Sequence, residues 1–152
     1  VTQIHTGSAE NIVPETAYVN GTIRTFDESV RTVVHERLQE IVSGLAQGYG
    51  VEAELRIDVG YPATINHASP AEFALDVARE VVGEANVDAD HKRSMGSEDF
   101  SYMLRARPGA YVCLGQGLGP SLHHPRFDFN DAVAPVGASF FARLVERAQP
   151  VS

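Results

Sequence analysis

The sequence holds a single cysteine, Cys113, in 152 residues. One thiol excludes an internal disulfide framework and a four-cysteine zinc site, and it suits a reducing cytoplasm. No apolar run approaches the roughly 20 residues that a membrane-spanning helix needs. Basic residues are scarce, with 12 Lys and Arg against 20 Asp and Glu and a formal net charge of −8. Without a basic cluster the chain is a poor match for nucleic-acid phosphates or for an anionic membrane surface. The G-x-S-x-G elbow, the H-E-x-x-H and C-x-x-C patterns and a phosphate-binding glycine loop are also missing. Val1 stands where an initiator methionine is usual and no signal-peptide pattern follows it, so the chain is expected to be a piece of something longer.

What is present is an ordinary globular balance, 43% hydrophobic and 21% charged, enough for one domain or two small ones. Two blocks differ in character. In residues 1–66, strands are expected over 1–6 and 16–26, separated by a turn punctuated by Gly7, Asn11 and Pro14. A helix follows over Glu28–Tyr49, where Val30, Val33, Val34, Leu38, Ile41, Val42 and Leu45 recur at spacings of three and four. Asp27 suits its N-cap and Gly50 the left-handed residue after its end. Val51, Ala53, Leu55, Ile57 and Val59 then alternate with charged residues, the pattern of a half-wet strand. This β-β-α-β block is thin by itself, and a further β-α unit would complete a ferredoxin-like sandwich.

Residues 67–152 read as α-α-β-α. Ser69-Pro70-Ala71-Glu72 has the form of a capping box before a helix that ends at Gly83. A short helix opens at Glu98, Ala110 to Leu114 reads as a buried strand, and a last helix is expected over Ala134–Ala148. One strand makes no sheet, so this block is expected to join strands from elsewhere.

Candidate chemistry gathers in two places. The loop 121–131 carries His123, His124, Asp128 and Asp131 beside Pro125. Such a set either presents a metal ligand or caps the last helix and bonds loop backbone. Ser97, Glu98 and Asp99 form either an N-cap with first-turn acids or a carboxylate pair. Arg24 either clamps a carboxylate or is an exposed cross-strand partner. Cys113 is expected to be buried and inert. His5, His35, His67 and His91 stand alone and suggest no role.

Five stretches together resemble one family. Gly7 to Pro14 is similar to its "GxAxNVIP" segment, Gly21 to Phe26 to "GTxRxF", and Gly60 to Asn66 to "xYPxxxN". Met95 to Phe100 is similar to "MGxEDF", and Leu122 to Asp131 to "LHxPxYDFND". Their order and spacing resemble the metal-dependent amidohydrolases that include hippurate hydrolase, N-acyl-amino-acid hydrolases and plant auxin-conjugate hydrolases, within the aminoacylase and carboxypeptidase group of two-metal peptidases. The resemblance covers only that family's C-terminal part. It implies an α/β fold class: an α+β lid, residues 1–66, that is part of a ferredoxin-like dimerisation domain, then residues 67–152 completing a three-layer catalytic domain.

The resemblance also implies function. His123 would be one metal ligand, whereas His124 fills a variable position and is not expected to bind metal. Asn11 would hold the scissile carbonyl or its oxyanion, and Arg24 the free carboxylate of an N-acyl amino acid. Two divalent ions (zinc, manganese, cobalt or nickel) would activate a water for amide hydrolysis, with the other ligands and the catalytic glutamate supplied outside this chain. No catalytic residue is expected within it. Lid closure would bring Asn11 and Arg24 onto the substrate. A cytoplasmic homodimer formed through the lid is implied. The competing expectation is a non-catalytic dimerisation or binding module, or a small site made of His123, Asp128 and Asp131 alone.

Overall fold

A computed structural model describes residues 1–150 of the chain. It divides into two compact units, Val1–Ala63 and Thr64–Ser152. In the first unit, β1 (Gln3–Thr6) pairs antiparallel with β2 (Ala17–Asn20), with Ile4 opposite Val19 and His5 opposite Tyr18. The rings of that last pair stack at 6.3 Å, a cross-strand contact that sets the register. The Thr6 hydroxyl donates to the Thr16 carbonyl at 3.0 Å and closes the base of the connecting loop. β2 is shorter than the expected 16–26. Its pairing with β1 runs from Thr6 opposite Ala17 to Gln3 opposite Asn20.

α1 (Glu28–Tyr49) is capped at both ends by its own sequence. The Asp27 carboxylate accepts the Ser29 N–H at 2.7 Å, the Val30 N–H at 3.4 Å and the Ser29 hydroxyl at 2.5 Å. These bonds, the Ser29 hydroxyl first, hold its carboxyl below the usual aspartate range. Gly50 is left-handed, with φ of 65°, and the Val51 N–H donates back to the Ala46 carbonyl at 3.0 Å, which satisfies an otherwise orphaned helix end. Residue 28 pairs with Arg31 in the first turn.

Yet α1 buries none of its residues. Val30, Val33, Ile41 and Leu45 are 45 to 62% exposed. The expected strand over 51–59 does not form among the described residues. Leu55 and Ile57 are half-buried, so the alternation does define a face. A strand also needs a neighbouring backbone to bond, and the β1-β2 pair does not extend to this segment.

The second unit is helical among its described residues. α2 (Ala68–Val82) and α4 (Ala134–Ala148) pack together. α3 (Phe100–Ala106) adds Ser101 and Leu104 to the buried Ala74 and Val77 of α2. The two long helices are also joined by charge. Glu80 accepts from Arg143 Nε at 2.7 Å and from Arg147, and the Arg147 guanidinium lies over the Phe73 ring at 5.6 Å. Arg143 and then Arg147 hold the Glu80 carboxyl below the usual glutamate range against the opposing effect of burial.

The expected capping box at Ser69 is not the start of α2. The helix begins two residues earlier, at Ala68, with His67 as N-cap and no side-chain cap bond. The reason lies far along the chain. The His67 N–H donates to the Gly109 carbonyl at 3.0 Å, and His67 Nδ1 accepts the Gly109 N–H at 3.2 Å. Beside it, Asn66 Nδ2 donates to the Tyr111 carbonyl at 2.9 Å and Asn66 Oδ1 accepts the Tyr111 N–H at 2.7 Å. His67, expected to have no role, is therefore half of a clamp. Gly109 packs closely here: a Cβ would lie 3.2 Å from Leu104 Cδ2, a contact that Leu104 would have to relieve by a few tenths of an ångström.

The expected buried strand over 110–114 is absent too. Tyr111, Val112 and Leu114 are 38 to 49% exposed, and Cys113 is exposed rather than buried. No strand among the described residues of this unit lies alongside, and the Asn66 amide gives Tyr111 the two bonds that a neighbouring strand would have made. Among the described residues, no helix is long and apolar enough to cross a membrane.

Two outcomes follow. Asn66→Ala removes both bonds to Tyr111 and should cost roughly 1–2 kcal/mol, read by urea denaturation of the chain; no loss would show that the clamp is not a stabilising contact. Glu80 has a lowered folded pKa, so its contribution is complete above its ordinary value of 4.5 and is lost as pH falls through the folded value. The acid limb of stability against pH should therefore shrink in Glu80→Gln; an unchanged limb would show that the two arginines do not stabilise the folded carboxylate.

Candidate functional site

The loop before α4 is tied at its base. Asn130 Nδ2 donates to the Gln116 carbonyl at 3.0 Å, and the Asn130 N–H to Gln116 Oε1 at 3.4 Å. Asn130 Oδ1 also accepts the Ala132 N–H at 3.1 Å, capping the short 3-10 turn Asp131–Val133 that leads into α4. One residue thus closes the loop and starts the helix. Its caps come from Asn130, not from the histidines or aspartates.

His123 lies at the tip. Its φ is +67°, and among the described residues it is the one non-glycine with positive φ. The His124 N–H donates to the Ser121 carbonyl at 3.1 Å, so His123 takes the third position of a tight turn, where glycine is usual. Histidine tolerates this region better than most residues, yet the conformation still carries a cost. The side chain is exposed. His124 is engaged: its Nδ1 accepts the Arg126 N–H at 3.0 Å and its carbonyl accepts the Phe127 N–H at 2.9 Å.

Among the described residues, no group of three or more His, Cys, Asp or Glu side chains is placed to hold a metal. The site of His123, Asp128 and Asp131 weighed from the sequence is therefore not formed. A solvent-facing imidazole suits one ligand position, but a catalytic metal site needs about three protein ligands. The described residues do not supply them, and no step through a metal is derived from this chain.

Asn11 and Arg24 belong to the first unit, and His123 to the second. Asn11 is exposed on the loop 7–16, next to an open depression of about 360 Å³ lined by Gly7, Ser8, Ala9, Ile12, Pro14 and Thr16. Gly7, with φ of 71°, turns the chain into that loop. Arg24 is exposed in the segment that leaves β2.

The Glu98 and Asp99 side chains interact; Ser97 is not the N-cap of α3, and Asp99 flanks it. The Tyr111 hydroxyl donates to Glu98 Oε2 at 3.0 Å, and the Phe100 N–H reaches Glu98 Oε1 at 3.5 Å. Those bonds, Tyr111 first, lower the Glu98 carboxyl and in return raise the Tyr111 phenol. The Glu98 carbonyl accepts the buried Ser101 hydroxyl at 2.7 Å, and the Phe100 and Tyr111 rings meet at 5.6 Å. Sequence reasoning placed an acid at this helix start but missed Tyr111, 13 residues away, as its partner.

Residues 3–147 match the Peptidase family M20/M25/M40. The chain is 33% identical over 138 residues to hippurate hydrolase of Campylobacter jejuni, covering 91% of this chain and 36% of that protein. It is 34% identical over 144 residues to N-acetyldiaminopimelate deacetylase of Streptococcus sanguinis, covering 94% of this chain and 38% of that protein. Among solved structures, the Bacillus subtilis YXEP protein, a dinuclear metal binding peptidase from the M20 family, aligns with a TM-score of 0.76 and 29% identity over 97% of this chain and 40% of its own. The chain thus spans well under half the length of these relatives.

The turn at His123 has a measurable consequence. His123→Val should destabilise the chain by about 1–2 kcal/mol, because a β-branched residue resists the left-handed region. His123→Asn should be close to neutral. Equal unfolding midpoints in urea for the two variants would show that the turn holds no such cost.

Proposed function

The chain belongs to the M20/M25/M40 peptidase family, and from that premise we propose that it is the C-terminal portion of a metal-dependent amidohydrolase acting on N-acyl amino acids. The observation that carries the reading is His123, an exposed imidazole kept at φ +67° on the tip of a loop closed by Gln116 and Asn130. Strain maintained at a polar, solvent-facing residue is characteristic of a functional position. The hydrolase names of the relatives support the reaction class.

In this reading residues 1–66 are part of a lid and dimerisation domain of ferredoxin-like topology, and residues 67–152 complete the catalytic domain. The segment 51–59 and the run 110–114, which form no strand among the described residues, would become strands by pairing with the rest of the enzyme. His123 offers one ring nitrogen as a metal ligand. Two divalent ions, held by His123 together with ligands outside this chain, would supply an activated water and a polarised carbonyl. The Asn11 amide donates to the scissile carbonyl oxygen, where charge develops. Arg24 binds the substrate carboxylate through two parallel hydrogen bonds. A homodimer through the lid is supported by the exposed Val30, Val33, Ile41 and Leu45 of α1 and by the two-stranded sheet with its open edges. The single cysteine, exposed and unpaired, fits a reducing cytoplasm.

The full-length enzyme tests this directly. His123→Asn should lose bound metal and hydrolysis by more than the roughly 10–100-fold that outer-shell residues cost. Arg24→Ala should raise KM about 10- to 100-fold for an N-acyl amino acid and leave KM unchanged for the corresponding carboxamide. Wild-type metal content and turnover in His123→Asn would sink the assignment and favour a non-catalytic dimerisation module. An equal KM rise for both substrates would remove Arg24 from the carboxylate site.

A further inference from the structure

We propose that the run 110–114 receives a β-strand along the edge that carries the N–H and C=O groups of Ala110, Val112 and Leu114, while Asn66 and His67 plug the opposite edge over 109–111. The inference deepens the reading of this run as a strand of the longer enzyme and rests on it.

An extended chain has two faces and two edges. Side chains alternate between the faces. The N–H and C=O of one residue leave by the same edge, and those of the next residue by the other. Gly109 and Tyr111 are two residues apart, and each has both backbone groups bonded. The Gly109 carbonyl accepts the His67 N–H at 3.0 Å, and its N–H donates to His67 Nδ1 at 3.2 Å. Tyr111 does the same with the Asn66 amide, at 2.9 and 2.7 Å. That is the ladder of one strand edge, with two side chains in place of a strand.

The faces are occupied as well. Tyr111 turns to α3, where its ring meets Phe100 at 5.6 Å and its hydroxyl donates to Glu98 at 3.0 Å. Leu114 is three residues on and so belongs to the other face. It lies by α4, since a Cβ on Gly137 would be 3.5 Å from Leu114 Cδ2. What remains is the edge of 110, 112 and 114. Among the described residues the backbones of these three make no hydrogen bond.

A strand with a helix on each face is the setting of a sheet covered on both sides. The second unit holds no strand among its described residues, and the chain spans 36 to 40% of the length of its relatives. The occupant is therefore a strand from the remaining length of the longer protein. Covered by the same two layers, it is apolar on both faces and rich in β-branched residues.

Hydrogen exchange of the full-length enzyme, read at single amides, tests the edge. Val112 and Leu114 should exchange about 100-fold or more slowly than in a free peptide. Asn66→Ala should speed exchange at Tyr111 about tenfold and leave Val112 and Leu114 protected. If Cys113 is protected while Val112 and Leu114 exchange freely, the run is a strand but the edge assignment is wrong. If Val112, Cys113 and Leu114 all exchange at free-peptide rates, the run is no strand, and that reading fails together with the inference. Equal acceleration of Tyr111, Val112 and Leu114 in Asn66→Ala would show that the two edges do not act separately and would overturn the plug.

Discussion

Four hydrogen bonds join residues 66–67 to residues 109–111, and much of the second unit is arranged around them. They decide where α2 begins, because His67 is held from outside the helix. They hold the run 109–114 without a neighbouring strand, because the Asn66 amide carries a donor and an acceptor spaced like a peptide group. They also place Tyr111 so that its hydroxyl reaches Glu98 and its ring meets Phe100, which ties α3 to the same point. The short distance between Gly109 and Leu104 brings the clamp onto the small buried core.

That core is slight. Among the described residues of the second unit, Ala74, Val77 and Leu104 are the buried apolar side chains, with Ser101 beside them. The chain exposes 12763 Å², where two separate compact units of the same combined mass would expose roughly 9,000 Å². The excess is surface left uncovered in a chain that spans 36 to 40% of the length of these relatives. Capping, the α2–α4 ion pairs and side-chain bonds to backbone add local order to it. In the first unit α1 is ordered by Asp27 and Gly50 while Val30, Val33, Ile41 and Leu45 of its apolar stripe are exposed. A stripe of that length is a surface made for contact.

The loop 116–130 shows how a strained residue is maintained. Asn130 and Gln116 hold its base, and the paired turns around His124 hold its tip. With both ends fixed, His123 stays in a region of backbone space that it would leave in a free loop. The orientation of an exposed imidazole thus depends on residues that need not touch anything it binds. Sequence reading singled out the two histidines together. Only the geometry separates one that is presented from one that is consumed by the backbone.

α1 and α4 were legible in the sequence alone, with boundaries matching those observed, because a repeat of 3.6 residues and local caps are properties of neighbouring residues. The resemblance to a family was legible for the same reason, since its segments are short and contiguous. Residues 51–59 and 110–114 were read correctly as apolar patterns but form no strand among the described residues, because a strand is defined by a partner backbone that no pattern within it specifies. The start of α2, the pairing of Glu98 with Tyr111, the exposure of Cys113 and the clamp through His67 were decided by tertiary structure. Each depends on groups 13 to 45 residues apart or on burial that only the folded chain defines. Local spacing determines which helix can form; where it starts and what its side chains hold is set by hydrogen-bond partners that folding brings together.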